Sequence, residues 1–263
     1  MRQCTMAVAM TVAGSDSSSG AGLQADLKTF GAHGVYGLCA VTCVVAEHPG
    51  EVASIQQVRA SILADQIRLN LGGFPVGAVK TGMLYSSEII GVVVRELRRQ
   101  RRRAPLVVDP VMVATSGAVL LKPTAVERLC EELLPMAELI TPNLDEAALL
   151  VGERLPNVAA MREAADGLRK RFGCGVLVKG GHLGGKRAVD VLAHGGDVVV
   201  LEAPYRRGVH THGTGCTLSA AIAAGLARGL GLVDAVRGGK AFVTRAILRA
   251  QKIGRWQVLH HGG

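Results

Sequence analysis

Aromatic side chains are nearly missing from this chain, with one tryptophan, three tyrosines and four phenylalanines among 263 residues. Since 49% of the residues are still hydrophobic, the core must be built from Val, Leu, Ile and Ala, the composition of parallel strands covered by helices. That favours α/β over a sandwich. The scarcity also removes the stacking platforms that single-stranded nucleic acid uses. Acidic residues are outnumbered, 21 against 30 Lys and Arg, for a formal net charge of +9. The densest basic run, Arg98, Arg99, Arg101, Arg102 and Arg103, closes a helix-like stretch, where cations complement the helix C-terminus and face water. No nucleic-acid partner is expected, and the positive field suits phosphorylated substrates.

Cysteine pairs and membrane-length runs are also missing. Cys4, Cys39, Cys43, Cys130, Cys174 and Cys216 form no CxxC pair and no zinc spacing. All but Cys216 read as small core hydrophobes, and the chain reads as reduced and cytoplasmic. Residues 29–46 and 208–227 are uncharged but broken by Gly, His and Thr, so no membrane partner is expected. Residues 6–13 imitate a signal peptide, yet they pass straight into a glycine-serine loop and read as a first buried strand. No repeat or linker interrupts the chain, so residues 1–263 are expected to form a single domain.

What is present is a repeated strand-then-helix order. Residues 6–13 lead into the loop 14–22, after which Leu23, Leu27 and Phe30 recur at helical spacing. Glu47 ends the next apolar stretch, before the turn at Pro49-Gly50. Residues 76–79 and 106–109 read as strands, and Asp109 stands at a strand end before Pro110. A helix is expected over 123–133 and a short strand over 138–141. Asn143 and Glu146 then open another helix, as a capping box or as oxygens facing hydrated magnesium. A strand over 175–178 leads to Lys179, and residues 188–192 and 198–201 form a hairpin signal. The expectation is one doubly wound, mostly parallel sheet flanked by helices, with that β-hairpin at one edge.

The most telling stretch is Thr211-His212-Gly213-Thr214-Gly215-Cys216, followed by an alanine-rich run. Two glycines at a helix start let backbone N–H groups converge on an anion, although close packing alone also explains them. Cys216 falls in the first helical turn, where the dipole is expected to lower a thiol pKa and favour the thiolate.

Several fragments, in order along the chain, resemble the hydroxymethylpyrimidine and phosphomethylpyrimidine kinases of thiamine biosynthesis. They are Ala13-Gly14-Ser15-Asp16, residues 20–30, Lys80-Thr81-Gly82-Met83-Leu84, residues 107–112, Thr141-Pro142-Asn143, Lys179-Gly180-Gly181-His182 and residues 211–216. The resemblance implies a ribokinase-like fold, ATP and Mg2+, a homodimer, and two successive phosphorylations of one pyrimidine. It implies a pyrimidine pocket of Gly14, Ala21, Asp26, Val45, Glu47, Met83 and Val111. Asp109 and Glu146 would serve magnesium, and Asn143, Lys179 and Thr211 the nucleotide. Gly213, Thr214 and Gly215 would form the anion hole and Cys216 the base. Where the family usually has glutamine the chain has Glu47, and ionised glutamate only accepts hydrogen bonds where glutamine also donates. That leaves pyridoxal kinase as a second reading and a non-catalytic pyrimidine-binding module as a third. The family's usual lysine and aspartate after the fourth strand are Thr115 and Ala118 here, and the tail 254–263 does not match the expected ending.

Overall fold

A computed structural model describes residues 6–100, 103–112, 121, 123–181, 183, 187–206 and 212–262. Its centre is β1 (Val8–Asp16), the first apolar run, buried almost throughout. On one side β1 pairs in parallel with β2 (Tyr36–His48), and on the other with β4 (Ala78–Thr81). Beyond β4 come β5 (Leu106–Val108), β6 (Leu139–Ile140) and β7 (Gly175–Gly180), all parallel. The strand order turns between β1 and β4, so the carboxyl ends of these strands border the crevice where open α/β sheets bind ligands.

Alternation along each strand sorts side chains into two cores, as a period of two requires. Val79, Val108, Ile140, Val176 and Val178 join one core, packed by α2 (Ala60–Gly73), α3 (Ser87–Arg98) and α6 (Val158–Phe172). Ala78, Val107, Leu139 and Leu177 face the other, packed by α1 (Gly22–Ala32), α7 (Thr214–Ala227) and α8 (Leu232–Leu248). The ribbon β8 (Arg187–His194) and β9 (Asp197–Pro204) closes one edge as expected. The basic run is solvated where it is described: Arg98, Arg99 and Arg103 are exposed, and Arg99 pairs with Glu96.

One edge strand was not expected from the sequence, and one helix ends sooner than expected. The opposite edge also ends in an antiparallel strand, β3 (Glu51–Gln57), paired to β2. Its mostly polar sequence follows from lying at the rim, where neither face is well covered. The helix expected over 123–133 stops sooner: α4 is Pro123–Arg128, and the chain continues through a wider π turn at Leu129–Leu133 and a 3-10 turn at Leu134–Met136. Pro135 supplies no backbone donor there, which prevents regular continuation. The tail folds as a small hairpin, β10 (Gln251–Ile253) with β11 (Trp256–Val258).

Candidate active site

Gly213 caps α7 in the left-handed conformation, φ 81°, and a Cβ there would collide with the Gly20 carbonyl. Only glycine lets the turn before α7 lie against the loop after β1. No side-chain hydrogen bond comes from the capping residue of this helix, so the positive end of its dipole is what its start presents to the site. A Cβ on Gly215 would stand 3.2 Å from Lys179 Nζ and 3.5 Å from Asp109 Oδ2, so this bare backbone faces a lysine and a carboxylate.

Asp109 and Lys179 lie seventy residues apart in sequence and form a 2.8 Å ion pair. Thr141 and Ser219 hydroxyls also donate to Asp109. Burial opposes its charge, but Lys179 and Lys80 outweigh that and hold its pKa below the usual carboxylate value. Asn143 and Glu146 form the capping box of α5 (Leu144–Val151): Asn143 Oδ1 accepts from the Glu146 N–H, and Glu146 Oε2 from the Asn143 N–H. Burial, with Asp109 adding to it against Lys179, raises Glu146 to about 7. Glu146 thus lacks the positive charge that Asp109 finds in Lys179 and Lys80, and such a carboxylate oxygen donor fits a divalent cation.

The residues expected to line the pyrimidine pocket lie mostly at or just past the ends of β1, β2 and β4. Val45 pairs with Asp16 in register, and Ala21 donates its N–H to the Asp16 carboxylate. A Cβ on Gly14 would meet Cys43 Sγ at 2.9 Å and Met83 Sδ at 3.5 Å, and the Thr42 hydroxyl anchors the Met83 carbonyl. Val111 lies two residues past Asp109, bonded back to its carbonyl. Asp26 is different. It is fully buried, accepting from the Thr11 hydroxyl at 2.6 Å and from Lys80 Nζ, so its carboxylate meets the site only through Lys80.

At Cys216 burial works against the expected thiolate. Burial pushes this thiol up to about 11, against the pull of Lys80 and a hydrogen bond from the Gly22 N–H. The helix dipole acts over one turn, and here desolvation is the larger effect. Lys80 had no role assigned from sequence, nor had Asp16 or His212. A lysine inside the apolar strand β4 was the available signal for the first. Thr211 and His182 lie outside the described residues, as do Cys4, Thr115 and Ala118.

Phosphoryl transfer is the chemistry that amides at a helix start, paired lysines and a carboxylate couple suit, and the surrounding fold is ribokinase-like. The chain belongs to the phosphomethylpyrimidine kinase family, whose model matches residues 16–261. It is 47% identical over 259 residues to the hydroxymethylpyrimidine/phosphomethylpyrimidine kinase of Rhizobium meliloti (strain 1021), covering 97% of each. Among solved structures it superimposes on an ADP complex of Bacillus subtilis pyridoxal kinase with a TM-score of 0.90, at 38% identity over 98% of both chains. Against a phosphomethylpyrimidine kinase from Clostridium difficile 630 the TM-score is 0.81, at 40% identity over 92% of this chain and 100% of the other. The matched span includes most of the tail, which sequence reading had set aside. Within it, the His261 ring lies 3.0 Å from the hydroxyl of Thr217, the residue after Cys216.

Proposed function

We propose that this chain, as a single kinase domain, transfers the γ-phosphoryl group of ATP to the hydroxymethyl group of 4-amino-5-hydroxymethyl-2-methylpyrimidine, and then phosphorylates the resulting monophosphate to the diphosphate for thiamine biosynthesis. The observation that carries it is the Asp109–Lys179 pair facing the bare backbone of Gly215, one residue before Cys216. Amides of Gly213, Thr214 and Gly215 hold the charge that develops on the transferred group. Lys179 neutralises phosphate oxygens, Asn143 serves the nucleotide, and the family resemblance gives the same role to Thr211. Asp109 and Glu146 hold Mg2+, which supplies charge neutralisation of the phosphates when bound. Gly14, Ala21, Val45, Glu47, Met83 and Val111 form the pyrimidine pocket, with Asp26 acting on it through Lys80.

Cys216 accepts the hydroxymethyl proton in the first step as the thiolate, the minor form present once its own proton has passed to solvent; burial favours the thiol, and Lys80 draws its pKa back towards the charged form. In the second step the attacking phosphate is already ionised, so positioning and charge neutralisation suffice. Pyridoxal is the second reading, favoured by Glu47 as an acceptor for a pyridinium N–H. Incubating the protein with Mg-ATP and, separately, the pyrimidine alcohol, its monophosphate and pyridoxal, followed by mass analysis, tests both. Turnover of pyridoxal alone rejects the leading reading, and turnover of none supports a binding module.

We also assign the enzyme to the cytoplasm and to a homodimer. The described cysteines are all free, in keeping with a reducing compartment. Exposed Tyr36, Val44, Ile62, Leu69 and Phe74, on β2, on α2 and at its end, supply apolar surface for self-association. Light scattering at working concentration tests the dimer.

A further inference from the structure

One atom each from Asp16, Glu47 and His212 lies within 4.8 Å of the other two. The trio has the look of a cation site, but Asp16 is already satisfied. Its Oδ1 accepts from the Ser18 N–H and hydroxyl, and its Oδ2 lies 3.1 Å from the Gly20 N, 2.8 Å from the Ala21 N and 2.9 Å from His212 Nε2. A carboxylate offers about four lone-pair sites, so none remains for a metal. Burial works against its charge, yet the His212, Ser18 and Ala21 donors hold Asp16 ionised, with a pKa of about 2.

Glu47 is the opposite case. Its backbone is locked to Ser17, whose Oγ accepts from the Glu47 N–H and donates to its carbonyl. Its carboxyl makes no hydrogen bond among the described residues, and it stands half-buried beside a fixed negative charge. The titratable groups around it are Asp16 from β1, His212 from the turn before α7 and Cys43 from its own strand. Neighbouring His48 faces Glu51 instead. Burial, then Asp16, raises Glu47 to about 7 against the pull of His212.

We infer that Glu47 binds the substrate ring as the neutral acid, its O–H donating to an unprotonated ring nitrogen while its C=O accepts from the adjacent exocyclic amino group, with Asp16 behind it keeping the proton in place. This rests on the aminopyrimidine reading above. A neutral carboxyl presents one donor and one acceptor side by side, as a primary amide does. The departure from glutamine therefore preserves the recognition pattern and makes it depend on pH. Ionised, the same group would set a lone pair against the ring nitrogen and leave the pair unsatisfied.

The test is the KM for the pyrimidine alcohol as a function of pH in the wild type and in Glu47→Gln, with kcat recorded alongside. The ratio of the two KM values cancels any titration of the substrate. It is expected to climb ~10-fold per pH unit above the carboxyl midpoint, with no matching climb in the kcat ratio. Glu47→Leu, which can make neither bond, is expected to raise KM at every pH. A KM ratio that stays flat with pH overturns the inference, as does a Glu47→Leu enzyme matching Glu47→Gln throughout. Wild-type protein that turns over no pyrimidine at any pH rejects the kinase reading itself, an outcome distinct from turnover with a flat ratio.

Discussion

Lys80 and Asp26 form an ion pair with no exposed surface on either side chain, Nζ lying 2.8 Å from one carboxylate oxygen and 2.9 Å from the other. The pair joins the strand β4 to the helix α1 beneath the start of α7. Burial would neutralise both groups, but Asp26 keeps Lys80 protonated, with its pKa above the ordinary lysine value. Removing one partner leaves an uncompensated buried charge. Lys80→Met is expected to lower the unfolding free energy by about 3–5 kcal/mol, measured by urea denaturation. The double variant Lys80→Met/Asp26→Leu should regain much of that stability while first-step activity stays low, because the cation beside Cys216 is gone. Equal instability of the single and double variants would show that the charge imbalance is not what matters.

Cys216→Ser should depress phosphorylation of the alcohol by roughly 10²–10⁴-fold, the range for loss of a positioned proton acceptor, and phosphorylation of the monophosphate far less. The two steps are assayed separately, and equal losses would remove Cys216 from the role of base.

The pH profiles give an independent check on the same residue. Since burial raises the thiol to about 11 and only the deprotonated form accepts a proton, kcat for the first step should climb with pH below that value. The second step should lack this alkaline limb, and Cys216→Ser should abolish it in the first.

The magnesium role proposed for Glu146 predicts a proton release. Its pKa of about 7 means that it is largely protonated at pH 6, while a cation requires the carboxylate. Binding of Mg2+ should therefore release up to about one proton there. Calorimetry in buffers of different ionisation enthalpy measures this release, and Glu146→Gln should eliminate it. Proton release that persists in the variant would assign it to another group.

The tail makes a further prediction through His261, whose pKa burial lowers to about 4. The unfolded chain binds this proton near the ordinary histidine value, so between the two values the unfolded state holds more protons. The contribution of neutral His261 is present above that range and is lost as pH falls through it. Melting curves should show the wild type losing stability faster than His261→Gln on acidification from about pH 6.5 towards 4. Parallel curves would mean that the ring carries no such linkage.

Much of this was legible in local pattern. Apolar runs punctuated by glycine and proline marked β1, β2, β4 and β7, and the ordered fragments around Asp109, Asn143, Lys179 and residues 213–216 marked the family to which the chain belongs. The short oxygen-bearing spacing of Asn143 and Glu146 announced the capping box now seen at α5. The edge strand β3 escaped because its side chains are mostly polar and carry little alternation, and the early end of α4 turned on backbone geometry near Pro135.

The sequence by itself determined the alternation of strand and helix and a core built mostly from aliphatic side chains, while the close backbone approach at Gly213 came from the structure. Tertiary structure alone decided the charge states. Lys80 finds Asp26 across 54 residues, and His212 finds Asp16 across 196. No periodicity encodes such pairings. A thiol at a helix start and a glutamate at a strand end look charged on paper, because local sequence shows the dipole and the side chain but not the water that folding removes. Desolvation is a property of the whole packed neighbourhood, and at Cys216 and Glu47 it outweighs the pull of the positive charges nearby.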